Sequence, residues 1–217
     1  LLGAKDDRRI RGVVLNLSGF SAGWGVSQEL REIIRDFRDS GKQVVSFLES
    51  GGDREYYVAL AGDKIYLAPE GTLFLNGLSL EAQFFKDTLD KVGVEAEFYH
   101  IGEYKSAPES YTRNTMSDTH KEVLNAIVDS LYHQMLNAMV DGRGLTLEEA
   151  SAFIDDFTLA GPKLVEARII DGLQYSDQML EGLNHGESPG TIELKDYLSA
   201  MGSRSTSGDT LAVLYIN

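Results

Sequence analysis

The chain has 217 residues, enough for one large domain or for a domain with an appendage, and its 42% hydrophobic and 25% charged residues are ordinary for a globular protein. Its formal net charge of −14 argues against nucleic acid as a partner. With no cysteine and four scattered histidines, the sequence excludes disulfides and a cysteine nucleophile, and we expect no metal or cofactor.

Strand and helix patterns alternate at short intervals through the first half of the chain. Apolar runs predict strands at 12–17, 43–48, 64–67 and 72–75. Helical patterns occupy 26–39 and 54–61, and a third begins at Ser79 and stops at Gly93. Alternating side chains from Val94 to His100 predict one more strand. This order is typical of an α/β fold with βα units around a mostly parallel sheet.

The second half is predicted to be mainly helical. Helices are expected from Asp118 to Val140, from a cap at Thr146 to about Asp155, and from Pro162 to Gly172. The tail at 186–209 is rich in Gly, Ser and Thr and is predicted to be a linker with one ordered patch at 192–198. The run at 211–216 is predicted to be a strand of a following segment, so we expect the chain to be a piece of a longer protein.

Lys105 lies in a polar loop, 102–108, directly after the last predicted strand. A lysine acts as a base near neutral pH only if its pKa falls by roughly three units from about 10.4, and desolvation can produce such a fall. The Ser106 hydroxyl could hydrogen-bond a neutral amine, whereas Glu103 and Glu109 would oppose deprotonation if they faced it. A solvated loop lysine is the alternative that physical reasoning leaves open.

A base of this kind needs a nucleophile, and Ser50 is a candidate because Gly51 and Gly52 beside it leave backbone N–H groups free to stabilise an oxyanion. The rest of a nucleophile elbow is missing, so a simple turn is the alternative. The glycine-rich stretch at 19–25 matches no dinucleotide or phosphate-loop pattern.

Several segments, read in order, resemble the N-terminal half of the long, tandem-repeat form of the signal peptide peptidase A (protease IV) family. These segments are Val13–Leu17, Phe37–Lys42, Tyr56–Ala59, Ala61–Gly71, Leu89–Val94, Gly102–Ala107 and Met116-Ser117. The specific part is the motif Gly-x-Tyr-Lys-Ser-Ala that contains Lys105, at its distance after Asp63-Lys64-Ile65-Tyr66.

The resemblance implies a ClpP/crotonase-like α/β fold, a βα superhelix with a helical extension at about 118–185 after the lysine loop. The N-terminal repeat would span 1–185, a linker 186–209, and 210–217 would be the first strand of a C-terminal repeat that is absent. The implied activity is that of a Ser/Lys endopeptidase of the bacterial cell envelope, anchored in the inner membrane and facing the periplasm, which degrades released signal peptides.

Under this resemblance Lys105 is the general base, Ser106 is a supporting residue, and the nucleophilic serine belongs to the C-terminal repeat. Asp53 falls where that serine stands in the other repeat, and Ser50 lies three residues early. The implied partners are the C-terminal repeat, apolar peptide substrates and further copies in a homo-oligomer, a tetramer in this family; no metal or cofactor is implied.

Two other functions remain open from the sequence. This repeat could be a non-catalytic scaffold that only builds the oligomer, with Lys105 as a surface ion. It could also be an acyl-CoA-binding relative of the crotonases, although the elements with which such enzymes polarise a thioester have no counterpart here. A serine in a Ser-Gly-Gly-Tyr context further along the full protein would favour the peptidase.

Overall fold

A parallel sheet of six strands organises the larger part of the chain in the computed structural model, which describes residues 1–155, 160–183, 190–201 and 210–215. The strands of this sheet are β1 (Ile10–Asn16), β2 (Gln43–Leu48), β4 (Lys64–Leu67), β6 (Gly172–Leu173), β7 (Gly190–Glu193) and β8 (Thr210–Tyr215), in the spatial order β6-β4-β2-β1-β8-β7. A second small parallel pair joins β3 (Gly51–Gly52) to β5 (Leu73–Phe74). The predicted α/β class with a parallel sheet is confirmed.

Ten helices accompany these strands within the described ranges. They are α1 (Leu2–Lys5), α2 (Trp24–Asp39), α3 (Asp53–Ala59), α4 (Lys86–Lys91), α5 (Glu109–Thr112), α6 (Asp118–Arg143), α7 (Leu147–Asp155), α8 (Pro162–Glu166), α9 (Ser176–Leu183) and α10 (Leu194–Met201). The chain divides into two compact units, unit 1 with residues 1–77 and 135–217 and unit 2 with residues 78–134.

The central strands of unit 1 are apolar on both faces, as strands of a covered parallel sheet must be. Val14 of β1 lies in register with Val45 of β2, and both are almost fully buried. On one face they pack with Phe47 and with Met179 of α9. Continuous runs of this kind carry a strong signal, and the predicted bounds of β2 and β4 are confirmed to the residue.

Helices α2 and α3 meet through one buried cation and two aromatic rings. Arg31 is 4% exposed, donates a hydrogen bond to the carbonyl oxygen of Tyr57, and lies with its guanidinium carbon 4.3 Å from the centre of the Tyr57 ring. Trp24 packs against the same ring, with 5.1 Å between ring centres. Burial lowers the pKa of Arg31 to about 10. The two helices are therefore joined by a specific contact as well as by apolar packing.

Asp171 ties the helical extension back to the sheet. Its carboxylate accepts hydrogen bonds from Arg143 at the end of α6 (2.7 Å), from the Ile65 N–H of β4 (2.9 Å) and from Lys64 (3.0 Å). The backbone N–H of Asp171 also donates to Ile65, at 2.8 Å. Burial opposes ionisation of Asp171, but these donors outweigh it and lower its pKa.

The predicted helix from Ser79 to Gly93 is wrong over its first half, because only Lys86–Lys91 is helical. Leu80 is 45% exposed and Phe85 is 41% exposed, so the apolar face that would stabilise a longer helix is only partly covered. The strand predicted from Val94 to His100 is also absent. No described strand pairs with this segment, and without a neighbour its backbone gains no ladder of hydrogen bonds.

The helical extension is confirmed by α6 to α9, and Thr146 caps α7 as predicted, with its Oγ1 accepting from the Glu149 N–H at 3.1 Å. The helix predicted to reach Gly172 ends earlier, at Glu166, because Gly172 pairs with Tyr66 in the sheet. No helix among the residues described is both long and apolar enough to cross a membrane.

The predicted ordered patch at 192–198 is confirmed within β7 and α10, while 186–189 and 202–209 of the predicted linker lie outside the described residues. The last predicted strand is confirmed as β8, which pairs with β1 on one side and β7 on the other. That β8 opens a following repeat stays a prediction, as do the domain limits.

Candidate functional site

The lysine loop, defined as residues 102–108, lies in unit 2 between an irregular segment and α5. Gly102 has a φ of +89°, a conformation that favours glycine and that turns the chain into the loop. Short-range hydrogen bonds then shape the loop, from the Ser106 N–H to Tyr104 (3.0 Å) and from the Glu109 N–H to Ser106 (2.9 Å). The loop is therefore a folded turn that leads into a helix.

Lys105 is exposed in this chain. Within the described part of the chain its Nζ makes no hydrogen bond and no ion pair, and the Ser106 hydroxyl does not contact it through a hydrogen bond. Tyr104, the residue before Lys105, is itself 55% exposed, whereas Pro108 is buried. The amine is thus unpaired as far as the described residues show.

Helix α5 fixes the end of the lysine loop against α4. The Tyr111 ring lies between Phe85 and Phe98, with ring centres 6.0 and 5.7 Å apart and the planes nearly parallel. The Phe85 N–H donates to the Ser110 carbonyl at 2.7 Å. Stacked rings and a backbone hydrogen bond together give α5, a helix of one turn, a defined place.

Glu109 connects the lysine loop to the start of α6. Its carboxylate accepts from the Ser117 N–H (3.0 Å) and the Ser117 hydroxyl (2.5 Å), and its Oε2 lies 3.1 Å from Nδ1 of His120. The Glu109 and His120 side chains are 14% and 12% exposed. Partial burial opposes ionisation of Glu109, but these hydrogen bonds outweigh it and lower its pKa. The negative charge of Glu109 is therefore satisfied by α6.

The strand-to-helix junction of unit 1 contains the other candidate residues. Ser50 is exposed, and its Oγ accepts from the Thr72 N–H at 3.2 Å, which ties together the two loops that β3 and β5 follow. This is the behaviour of a turn serine, the alternative that the sequence left open. Among the described residues no base is hydrogen-bonded to its hydroxyl.

Asp53 begins α3 directly after Gly52, three residues beyond Ser50. Its Oδ1 is buried and has no hydrogen-bond partner among the described residues. Burial raises the pKa of Asp53 to about 6, although the backbone N–H groups of Gly77, Asp53 and Asn76 oppose this rise. A carboxylate in this position is a poor nucleophile, and it faces backbone donors from the turn at 76–77.

The two groups of candidates belong to different units, Lys105 to unit 2 and both Ser50 and Asp53 to unit 1. The described residues contain no group of three or more His, Asp or Glu that could hold a metal ion. Sequence reasoning missed the contacts of Glu109 with Ser117 and His120. A signal was present, because Ser117 precedes the predicted helix start at Asp118 and is a favourable N-cap.

The family model "Peptidase family S49" matches residues 36–188 of the chain, a range that includes the lysine loop. Among curated proteins, the chloroplastic serine protease SPPA of Arabidopsis thaliana is 32% identical over 88% of this chain and 29% of its own length. Protease 4 of Salmonella typhi is 29% identical over 99% of this chain and 37% of its own length. The chain thus spans about a third of the length of these relatives.

Two further proteins are similar over most of the chain. A putative signal peptide peptidase SppA of Enterococcus faecium is 24% identical over 82% of this chain and 52% of its own length. Among solved structures, a lysine-to-alanine mutant of the 1510-N membrane-bound stomatin-specific protease, in complex with a substrate peptide, has a TM-score of 0.44 and 11% identity over 97% of this chain and 94% of its own.

Proposed function

Because this chain belongs to peptidase family S49, we propose that it is the base-supplying N-terminal half of a Ser/Lys-dyad endopeptidase that degrades released signal peptides in the bacterial cell envelope. The observation that carries the proposal is the lysine loop, a folded turn within the family match that presents Lys105 exposed, with no partner for its amine among the described residues. Relatives named serine protease and putative signal peptide peptidase support the same activity.

In the proposed reaction, the neutral amine of Lys105 takes the proton from the hydroxyl of a serine outside this chain. The serine oxygen attacks the peptide carbonyl carbon, the carbon–nitrogen bond breaks, and Lys105 returns its proton to the leaving amine. Water then hydrolyses the acyl-enzyme. The serine is assigned outside the chain because Ser50 is held by the Thr72 N–H and the family position falls on Asp53.

A lysine serves as a base near neutral pH only when it is removed from bulk water. Lys105 is exposed here, so its role requires another surface to cover it. Unit 2 has almost no core of its own, because Pro108 is the single buried residue in 78–134, and we propose that another surface covers it. Val92, Ile101 and Tyr99 are 68%, 91% and 103% exposed. These apolar groups support the C-terminal repeat, other copies of the protein and apolar peptides as partners.

The proposed location follows from the proposed substrate. Released signal peptides are apolar and stay at the membrane, so an enzyme that degrades them is placed at the inner membrane, facing the periplasm. Retention of the full protein in a washed membrane fraction, with protease access from the periplasmic side, is the observation that would establish this placement.

The direct test is Lys105→Ala in the full protein, with peptide hydrolysis as the measurement. Loss of a general base is expected to lower kcat by about 10²–10⁴-fold while the fold is retained. Lys91→Ala, which removes another exposed lysine of unit 2, is the matched control and should leave kcat unchanged. Wild-type activity of the Lys105 variant would instead favour the non-catalytic scaffold.

A companion experiment uses the 217-residue chain alone, which we expect to be inactive because it lacks the serine. Turnover that disappears with Ser50→Ala would mean that this half has its own nucleophile. Turnover that survives Ser50→Ala would place the nucleophile elsewhere in the chain. Binding of acyl-CoA, measured by titration of the same chain, would favour the crotonase alternative.

A further inference from the structure

The first turn of α6 contacts the chain on both sides of Lys105. On the C-terminal side, Glu109 is bonded to Ser117 and His120 through the three contacts of 2.5 to 3.1 Å described above. On the N-terminal side, the Thr119 hydroxyl lies 3.3 Å from the carbonyl oxygen of Glu103. Glu103 and Glu109 are two residues before and four residues after Lys105, so one turn of one helix holds a seven-residue segment at both ends.

Ser117 is the centre of this arrangement. Its hydroxyl donates to Glu109 at 2.5 Å and accepts from the His120 N–H at 3.1 Å, which makes Ser117 the N-cap of α6. It also lies 3.1 Å from the Thr119 hydroxyl. The same oxygen therefore caps the start of α6 and holds Glu109, the residue after the lysine loop. Movement of Glu109 would disturb the cap.

The contacts of Glu109 are partly shielded from water, which gives them more weight than surface hydrogen bonds, whereas the contact of Thr119 with Glu103 is exposed. The Glu109 and His120 side chains are 14% and 12% exposed, in a unit where Pro108 is the one buried residue. Hydrogen bonds to an ionised carboxylate are about twice as strong as those between neutral groups. Glu109, the residue that directly follows the lysine loop, is thus joined to the start of α6 by partly buried hydrogen bonds to its carboxylate.

We propose that Glu109, Ser117 and Thr119 are positioning residues, which hold Lys105 at the place where it meets the serine. This inference rests on the proposed function of Lys105. None of the three needs to touch the substrate. Their effect is geometric, because a base must lie within hydrogen-bond reach of the proton that it takes, and a displacement of 1 Å can lower a rate by about 10²-fold.

The experiment measures the full protein and its variants Glu109→Gln and Ser117→Ala in two ways. Peptide hydrolysis should show kcat lowered by about tenfold or more with KM changed less than about threefold, because the loop positions the base and does not bind the peptide. Amide hydrogen exchange should become faster in 102–108, while β1 and β2 keep their protection. A merely structural role would not separate kcat from KM in this manner.

Two matched variants sharpen the outcome. Ser117→Thr keeps a hydroxyl at the N-cap and should restore both kcat and slow exchange. Asp118→Asn removes a charge from the same turn, but the Asp118 side chain is fully exposed and contacts Lys121 rather than the loop, so it should behave as wild type. If Glu109→Gln or Ser117→Ala loses protection throughout β1 and β2, Thr119→Val replaces it. That change removes the hydroxyl that contacts Glu103 and Ser117 but leaves the hydrogen bonds between Ser117 and Glu109 in place.

Failure of the inference can be told apart from failure of the proposed function. If Lys105→Ala is inactive but the Glu109, Ser117 and Thr119 variants keep wild-type kcat and slow exchange in 102–108, the positioning role is overturned and the base is retained. If Lys105→Ala is fully active, the proposed function fails, and the positioning role fails with it.

Discussion

Asp53 starts α3 with a carboxylate that its surroundings satisfy only in part. Burial raises its pKa to about 6, above the ordinary value of 3.8, so the folded state binds this proton more tightly than the unfolded state does. The free energy of unfolding therefore increases as pH falls from about 7 to about 4 on account of this residue. Above that window the ionised, buried Asp53 opposes folding.

Asp53→Asn should remove this opposition. At pH 7.5 we expect the free energy of unfolding to rise by about 1–2 kcal/mol, once partial exposure of the group is allowed for. In a protein of this size the Tm would increase by about 2–4 °C per kcal/mol. Thermal unfolding at pH 7.5 and pH 4.5 measures the effect, which should shrink at the lower pH.

Glu32→Gln is the control for the change of net charge, since Glu32 is exposed on α2. It should leave the Tm within the error of the measurement at both pH values. An Asp53→Asn variant that is less stable than the wild type at pH 7.5 would show that the ionised carboxylate is well hydrogen-bonded. That result would contradict the argument from the buried Oδ1, which has no partner among the described residues.

The sequence alone does not predict how deeply a residue such as Asp53 is buried or which groups contact it. Position 53 was singled out by its register with a family motif, but its burial depends on the turn at 76–77, which approaches from 23 residues further along the chain. Lys105 was found for the opposite reason, because its motif is local and continuous. Its neighbours Glu103 and Glu109 were weighed as charges facing the amine, whereas Glu109 is bonded to α6.

The contact between α6 and β4 depends on one residue, Asp171, so a single substitution can break it. Arg143 is 10% exposed and Asp171 is 16% exposed, so removal of the carboxylate leaves a covered guanidinium without its charged partner, although the neutral carbonyl oxygen of Arg168 still accepts a hydrogen bond from it. The lowered pKa of Asp171 means that its contribution is present above pH 4 and is lost as pH falls through the folded-state pKa.

Asp171→Asn should lower the free energy of unfolding by about 2–4 kcal/mol at pH 7, since breaking a buried pair from one side is costly. Urea denaturation measures the change as a lower midpoint with an unchanged slope. Asp141→Asn is the matched control, because Asp141 pairs with Arg35 at 3.2 Å but is 62% exposed. The control should cost less than about 1 kcal/mol; equal losses in the two variants would contradict the argument.

The strands that the sequence predicted best lie in the middle of the sheet of unit 1. β2 and β4 are continuous apolar strands in the middle of the sheet, and such a pattern predicts a buried strand. The segment at 79–100 has equally clear periodicity, but a pattern indicates only which face would be buried. It forms a short helix and no strand, because the described chain covers that face only in part, mainly through the stacking of Phe85 and Phe98 on Tyr111. The two-residue strand β6 was missed because it is too short to have a period.

At the scale of the whole molecule, the two units differ in how much of a core each has. Unit 1 contains the buried strands and helices, whereas unit 2 has one buried residue, Pro108. In the isolated chain we expect amide exchange in 78–101 to be complete long before exchange in β1, β2 and β4, because local opening there exposes almost no additional apolar surface.

Exchange monitored by mass spectrometry on the isolated chain and on the full protein tests this expectation. In the full protein, 78–101 should gain protection if its apolar side chains are covered as proposed. Protection in 78–101 that equals that of the central strands in the isolated chain would mean that unit 2 is stable by itself. Protection that stays low in the full protein would remove this segment from the proposed interfaces.

Trp24, which packs on Tyr57 at the junction of α2 and α3, is the only tryptophan in the sequence. The indole fluorescence of this chain therefore has a single, located source. Its emission reports on unit 1 alone, next to the helix that Asp53 begins. Unfolding that is confined to unit 2 should therefore leave the tryptophan emission unchanged. Tryptophan emission and the absorbance of the ten tyrosines can thus be recorded in one titration, and any gap between the two transitions measures how independently the units melt.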